Sequence, residues 1–342
     1  MTTKTPHQTP SESAGSAASW LKSVVQSDRL LLIGVLLVIL AVFSVLRPES
    51  FLTAYNFQSI GTDAAIVLVL AVGQTFVIVS AGIDLSIASV LVFSSVVSAE
   101  VMTAMGGTSG GWGAIVVGIV VAVVVGTLWG VVNGWLVAVT NIPALIVTLG
   151  TTGVALGLAQ IITSGIDIPT VPTKLAEAIG YSKVLGIPSM VLIAAVVTVI
   201  GAFVLHQTQF GRYAYAIGSN EVAAKRVGIN VTRHQVMIYA LQGLLAGVAS
   251  VMSLAQFSTT TIGGYGSLSL AVISGVILGG TSLFGGRGTI VGSLIGILIP
   301  TSLRNGLIIA GVTPFWETVL VGCVLILAVY IDQMRRRARR SA

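Results

Sequence analysis

Charge is scarce in this sequence. Of its 342 residues only 8% are Asp, Glu, Lys or Arg, where soluble domains carry about 25%. That is too few to cover a water-facing surface, which excludes a soluble globular protein. Cysteine occurs once, at Cys323, so no disulfide can form within the chain. No cluster of His, Cys, Asp and Glu has metal-ligand spacing, and no metal site is expected. No nucleophile–base pair stands out, so no catalytic residue is expected either. The stretch nearest to a phosphate-cradling loop is Gly280 to Arg287. It has Gly286-Arg287 where Lys-Ser or Lys-Thr is required, so the chain should not bind ATP by itself. Basic and aromatic residues are not interleaved as in single-strand binders. The net charge of +6 owes much to Arg335, Arg336, Arg337, Arg339 and Arg340. These read as an anchor beside acidic lipid and not as a nucleic-acid surface.

Apolar residues are plentiful, at 55%. Runs of about 20 recur, each able to cross a hydrocarbon core of about 30 Å as a helix. The alternating strands of a membrane barrel are absent from the sequence. The pattern predicts an all-α, multi-pass membrane protein with about ten transmembrane helices, some of them broken or re-entrant. They fall near 30–46, 60–80, 85–105, 112–139, 142–163, 188–205, 235–256, 268–285, 289–309 and 314–331. Residues 1–28, rich in Ser, Thr, Ala and Pro, read as a disordered cytoplasmic leader. Residues 29–332 form one membrane domain and 333–342 a basic cytoplasmic tail.

Lys and Arg set the orientation. With both termini inside, Lys4, Lys22, Arg29, Arg212, Lys225, Arg226, Arg233, Arg287 and the five tail arginines are cytoplasmic. Only Arg47, Lys174, Lys183 and Arg304 lie outside.

One polar island, His206 to His234, interrupts the apolar runs on the cytoplasmic side. Within it Ser219 or Asn220 suits a helix N-cap, and Glu221 suits the positive end of the helix. Lys225 and Arg226 suit the negative end, and Gly228 stops the helix. This predicts a helix of about two turns, too short to stand alone, which needs its own domain or a partner to pack against. Gly211 and Gly218 read as bends ahead of it. Elsewhere GQTFVIVSAGIDLSIASV from Gly73 is faintly echoed by GGTSLFGGRGTIVGSLIG from Gly279. Paired broken helices in two halves point to a transport pathway.

Ionisable groups in a bilayer are costly and turn inward. Asp63, Asp84, Glu100 and Glu317 are the instances here. Asp84 either caps the following helix or contacts solute and gates. The candidates for a translocation pathway are Gln74, Thr75, Asp84, Ser86, Asn141 and Thr148. Asn133, Gln242 and Gln256 are further polar positions for a wet path. For any one of them taken alone, interhelical packing is the favoured reading.

The island carries a resemblance. GRYAYAIGSNEVAAKRVGINV resembles the coupling-helix loop of the ribose-type ABC sugar permeases through Gly218, Asn220, Ala223, Ala224, Gly228, Ile229 and Val231. GQTFVIVSAGIDLSIAS, GGTSLFGGRGTIVGSLIG and GVTPFW resemble three further signatures of that family in the same order, over roughly residues 50–332. Two departures stand out. Ser269-Leu270-Ala271 occupies the place of a frequent Glu-Leu-Asp, and Glu317 that of a Gln.

The resemblance implies a permease subunit of an ATP-driven importer for a monosaccharide or polyol, lying in the cytoplasmic membrane. Its implied partners are a second permease copy or a sister permease, an extracytoplasmic solute-binding protein, and a cytoplasmic ATPase subunit that holds ATP and Mg. Ser219, Asn220, Glu221, Ala223, Ala224, Lys225, Arg226 and Gly228 would form the helix that the ATPase receives. An ion-coupled secondary transporter, favoured by the carboxylates and the echo, is the alternative. A non-transporting protein that recruits a cytoplasmic partner is the third reading.

Overall fold

The computed structural model describes residues 28–140 and 142–313, together with 316, 319, 322, 323, 326 and 330. The chain is helical almost throughout. The first helix, α1 (Asp28–Leu46), and a single turn at Pro48–Phe51 lead into α2 (Ala54–Val79), α3 (Ile87–Ala104), α4 (Trp112–Thr140) and α5 (Ala144–Thr163). A two-stranded hairpin, β1 (Lys183–Val184) and β2 (Ile187–Pro188), precedes α6 (Ser189–Gln207). Next come α7 (Gln209–Ser219), α8 (Glu221–Arg226), α9 (Val231–Phe257), α10 (Leu268–Leu278) and α11 (Ile290–Ile309).

Among the described residues seven helices are long and apolar enough to cross a membrane, namely α2 to α6, α9 and α11. The predicted segments match these and α1 to within a few residues at most ends. The tenth, 314–331, lies largely outside the described residues, as do the leader and the tail. The eighth is corrected. The run 268–285 is not one crossing but an 11-residue helix, α10. At 1.5 Å per residue α10 is about 16 Å long, half of a hydrocarbon core. It ends at Gly279-Gly280, where Gly280 has φ +90°, and an irregular stretch then leads to Thr289.

Burial orders the helices. The most apolar window of α2 is 83% buried, while those of α5 and α6 are each 22% buried. Helices α2, α3, α9 and α10 make the centre of the main core. The exposed sides of α4, α5 and α6 are apolar (Val124, Leu149, Phe203), as contact with hydrocarbon requires. Lipid gives helices no hydrophobic reason to associate, so close backbone approach must hold them. Here α4 and α9 meet glycine to glycine. A Cβ on Gly126 would lie 2.3 Å from the Gly243 carbonyl oxygen, and one on Gly243 would lie 2.1 Å from that of Gly126.

The helix ends sort into two sets. Val79, the α7–α8 segment and the 279–289 stretch gather at the end that carries the polar island. The far end holds the 164–188 segment and the α9–α10 connection. There Asp167 Oδ1 accepts the Ile262 amide at 2.8 Å and the Thr260 hydroxyl at 3.0 Å, fixing non-helical backbone between α9 and α10.

Candidate functional site

The island folds as two helices. The first, α7, was not anticipated. Gly211 and Gly218 do not bend the chain but lie within α7, where no side chain fits. A Cβ on Gly211 would be 1.9 Å from the Leu205 carbonyl oxygen, and one on Gly218 would be 1.9 Å from that of Val79. Ser219 is the last residue of α7 and not part of the short helix. His234 is buried against Phe210 and Tyr213.

The second helix, α8, has six residues and is closed at both ends. Asn220 Oδ1 accepts the Ala223 amide at 2.9 Å. Beyond the other end Gly228 takes φ +85°. The Gly228 amide then donates to the Lys225 carbonyl and that of Ile229 to the Ala224 carbonyl, both at 3.1 Å. This pair of bonds satisfies carbonyls that a helix end leaves free. Lys225 Nζ donates to Glu221 Oε1 at 2.6 Å along one exposed side. Ala224 alone is buried, packed with Ile217 and Val231. Val222 and Val227 stand 60% and 76% exposed. A short helix that keeps its shape while turning apolar and paired charged side chains outward can fill a groove on another protein.

Directly behind α8, three segments meet backbone to backbone. The Gly286 amide donates to the Val79 carbonyl at 2.8 Å. A Cβ on Gly218 would lie 2.7 Å from that same Gly286 nitrogen, and one on Gly285 would lie 2.8 Å from the Gly218 oxygen. Tyr215 Oη donates to the Gly288 carbonyl at 2.6 Å. Ala81 sits at φ +64°, a region that side-chain-bearing residues avoid. The end of α7 therefore touches Val79, where the 80–86 junction begins, and the 279–289 stretch, whose Gly285 in turn lies against Ala81. The two echoing motifs are also bonded to each other, with Thr75 Oγ1 2.8 Å from Ser293 Oγ.

From this contact the 80–86 junction climbs into the bundle as a polar cluster. Asp84 Oδ1 accepts the Ser86 amide at 2.8 Å and the Ser86 hydroxyl at 2.6 Å. Asn133 Nδ2 of α4 donates to Ser86 Oγ at 2.8 Å. Thr148 Oγ1 of α5 accepts the Leu85 amide at 3.1 Å, and Ser269 Oγ of α10 donates to the Leu85 carbonyl at 2.8 Å. All five side chains are buried. Thus Asp84, Ser86 and Thr148 come together, with Asn133 and Ser269 joining them. Gln74 and Gln242 are buried in α2 and α9, and among the described residues neither side-chain amide has a hydrogen-bond partner. Asn141 lies outside the described residues.

A cavity of about 350 Å³ opens separately, between α2, α10, α11 and the α9–α10 connection. Asp63, Gln256 and Arg304 line it, with Tyr265, Ser274 and Ile297 further along its wall. Of the sequence candidates only Asp63 and Gln256 belong to it. Tyr265, Ser274 and Arg304 were missed. The one signal in the sequence was the glycine-rich run around Tyr265, since the run that follows reads as a full crossing.

A family model described as the permease component of the branched-chain amino acid transport system matches residues 56–329. The ribose import permease protein of Escherichia coli (strain K12) is 36% identical over 304 residues, covering 88% of this chain and 92% of that one. That of Bacillus subtilis (strain 168) is 40% identical over 301 residues, covering 88% and 91%. An L-arabinose ABC transporter permease protein of Azospirillum brasilense is 36% identical over 311 residues, covering 90% and 88%. No solved structure matches. Seven helices long enough to span a membrane and relatives aligned over most of both chains agree with the motifs, and the chain belongs to the family of ribose-type ABC permeases.

Proposed function

We propose that this chain is the membrane subunit of an ATP-driven importer of a monosaccharide or related polyol, and that α8 is where a separate ATPase subunit pushes. The carrying observation is α8 itself, capped at both ends, its outward side apolar and charged, with α7 seated on two broken-helix junctions just behind it. In this reading the island end faces the cytoplasm, together with both chain termini, in the inner membrane. ATP and Mg are held by the partner. A solute-binding protein delivers the sugar at the far end. A second permease copy or a sister permease completes the assembly, set against apolar helix faces of this chain. The names of the relatives support the sugar class, since they are permeases for ribose and L-arabinose.

Glu221→Arg tests the reading. The Glu221–Lys225 pair is exposed, and such a pair holds a helix by only about 0.5 kcal/mol. Loss of the pair therefore leaves the fold in place while the charge offered to the partner is reversed. Uptake in proteoliposomes is expected to fall about tenfold or more while ATP hydrolysis continues and the ATPase stays bound. Normal uptake with the ATPase bound would remove α8 from the mechanism.

A further inference from the structure

We propose that the 350 Å³ cavity between α2, α10 and α11 is a binding site for one neutral monosaccharide, built within a single permease chain. The inference rests on the sugar-importer reading and adds a place and a recognition chemistry to it. Small-molecule sites occupy roughly 300–1,000 Å³, so this cavity suits a small ligand.

The backbone around the site points the same way. Helix α10 has 11 residues and does not span the bundle. The connection before it runs non-helically and is pinned by Asp167. Irregular backbone at membrane depth is tolerated where it is buried in protein or lines a polar cavity, and interrupted helices mark substrate sites in transporters. Here the connection and α10 both line the cavity.

The lining has the chemistry of a polyol. Ser274 is 3% exposed and lines the cavity, and its hydroxyl has no partner among the described residues. The Thr261 hydroxyl on the connection is in the same position. Buried hydroxyls want a partner, and sugar hydroxyls both donate and accept. Asp63 and Arg304 stand at the exposed rim, near enough for their charges to interact. One accepts and the other donates, and their charges cancel, so the rim favours a neutral ligand over an ion. Tyr265 adds an aromatic side chain to the lining, of the kind that packs on the C–H side of a sugar ring. An acyl chain would fill the apolar part of the cavity and leave these polar groups unanswered. Ala271, at the place where the chain departs from the family's Glu-Leu-Asp, also lines the cavity.

The test uses the complete transporter with its binding protein and ATPase in proteoliposomes. Cys323→Ser removes the native thiol, and Ala271→Cys places one in the cavity. Modification by a membrane-impermeant thiol reagent from the binding-protein side is timed with D-ribose, L-arabinose or D-allose, alongside uptake of each. The sugar that is transported should slow modification by 1 + [L]/Kd, about fivefold at four times Kd. Ala271→Phe, which fills the cavity, should lower uptake at least about tenfold while the complex still co-purifies with its ATPase. A sugar that is transported but gives no protection, with Ala271→Phe at full uptake, overturns the site and leaves the importer reading standing. A thiol that is unreactive until lipid is extracted assigns the cavity to an acyl chain and also overturns the proposal. A binding protein that holds one of these sugars, in a complete transporter that hydrolyses ATP and takes up none of them, overturns the importer reading beneath it.

Discussion

Gly218→Val abolishes uptake while leaving the membrane bundle assembled. The Cβ of Gly218 has no room, since it would stand 1.9 Å from the Val79 carbonyl oxygen and 2.7 Å from the Gly286 amide nitrogen. Those two atoms are bonded to each other at 2.8 Å, so the new side chain wedges into that bond. Overpacking costs about 1–3 kcal/mol, and a buried backbone group that loses its partner costs about the same again. The structure escapes by letting α7 lift away from the two junctions. α8 keeps its caps at Asn220 and Gly228, and the ATPase still binds. The expected result is normal assembly, persistent ATP hydrolysis and uptake below about a tenth of the parent. Unchanged uptake in Gly218→Val would show that force does not pass through this contact.

Gly243→Val has the second large effect, and its effect is on folding. The α4–α9 seam is closed by backbone, with Gly126 and Gly243 facing each other and a Cβ on Gly130 only 2.2 Å from the Tyr239 carbonyl oxygen. Because lipid is as apolar as the helix faces, this close approach is the principal attraction available. A valine forces the two longest helices apart along their whole contact. Membrane yield should fall sharply, and any protein recovered should melt earlier than the parent. Gly157→Val is the control, because a Cβ there meets nothing within 4 Å. It should express and melt like the parent, or slightly better, since valine forms helix more readily than glycine. Equal behaviour of the two variants would contradict the packing account.

The sequence made local features readable and left non-local ones hidden. Helix α8 was legible because its signals lie within nine residues of one another, from Asn220 to Gly228, and each acts on backbone nearby. Helix α7 was not. Gly211 and Gly218 look like breaks when read locally, whereas the atoms that demand glycine belong to Leu205, Val79 and Gly286, two of them distant in sequence. The 268–285 run has the composition of a crossing, and hydropathy does not register that the helix stops at Gly279. The echo at Gly73 and Gly279 was faint as text, yet its two copies are bonded through Thr75 and Ser293 and through Val79 and Gly286. In the candidate path, Asp84, Ser86 and Thr148 gathered as one buried cluster. The cavity drew instead on Ser274, Tyr265 and Arg304, which no motif marks. Their shared wall exists only once α10 is known to be short.

If an ATPase grips this protein at α8, residues on the outward side of that helix must touch it. A photo-crosslinking amino acid at Val222, 60% exposed on α8, addresses it directly. The same amino acid at Leu185, 97% exposed on the hairpin at the far end, is the comparison. In the assembled transporter, position 222 is expected to give an adduct with the ATPase subunit, and position 185 none. An ATPase adduct at 185, or none at 222 in a complex that hydrolyses ATP and transports, would contradict the account.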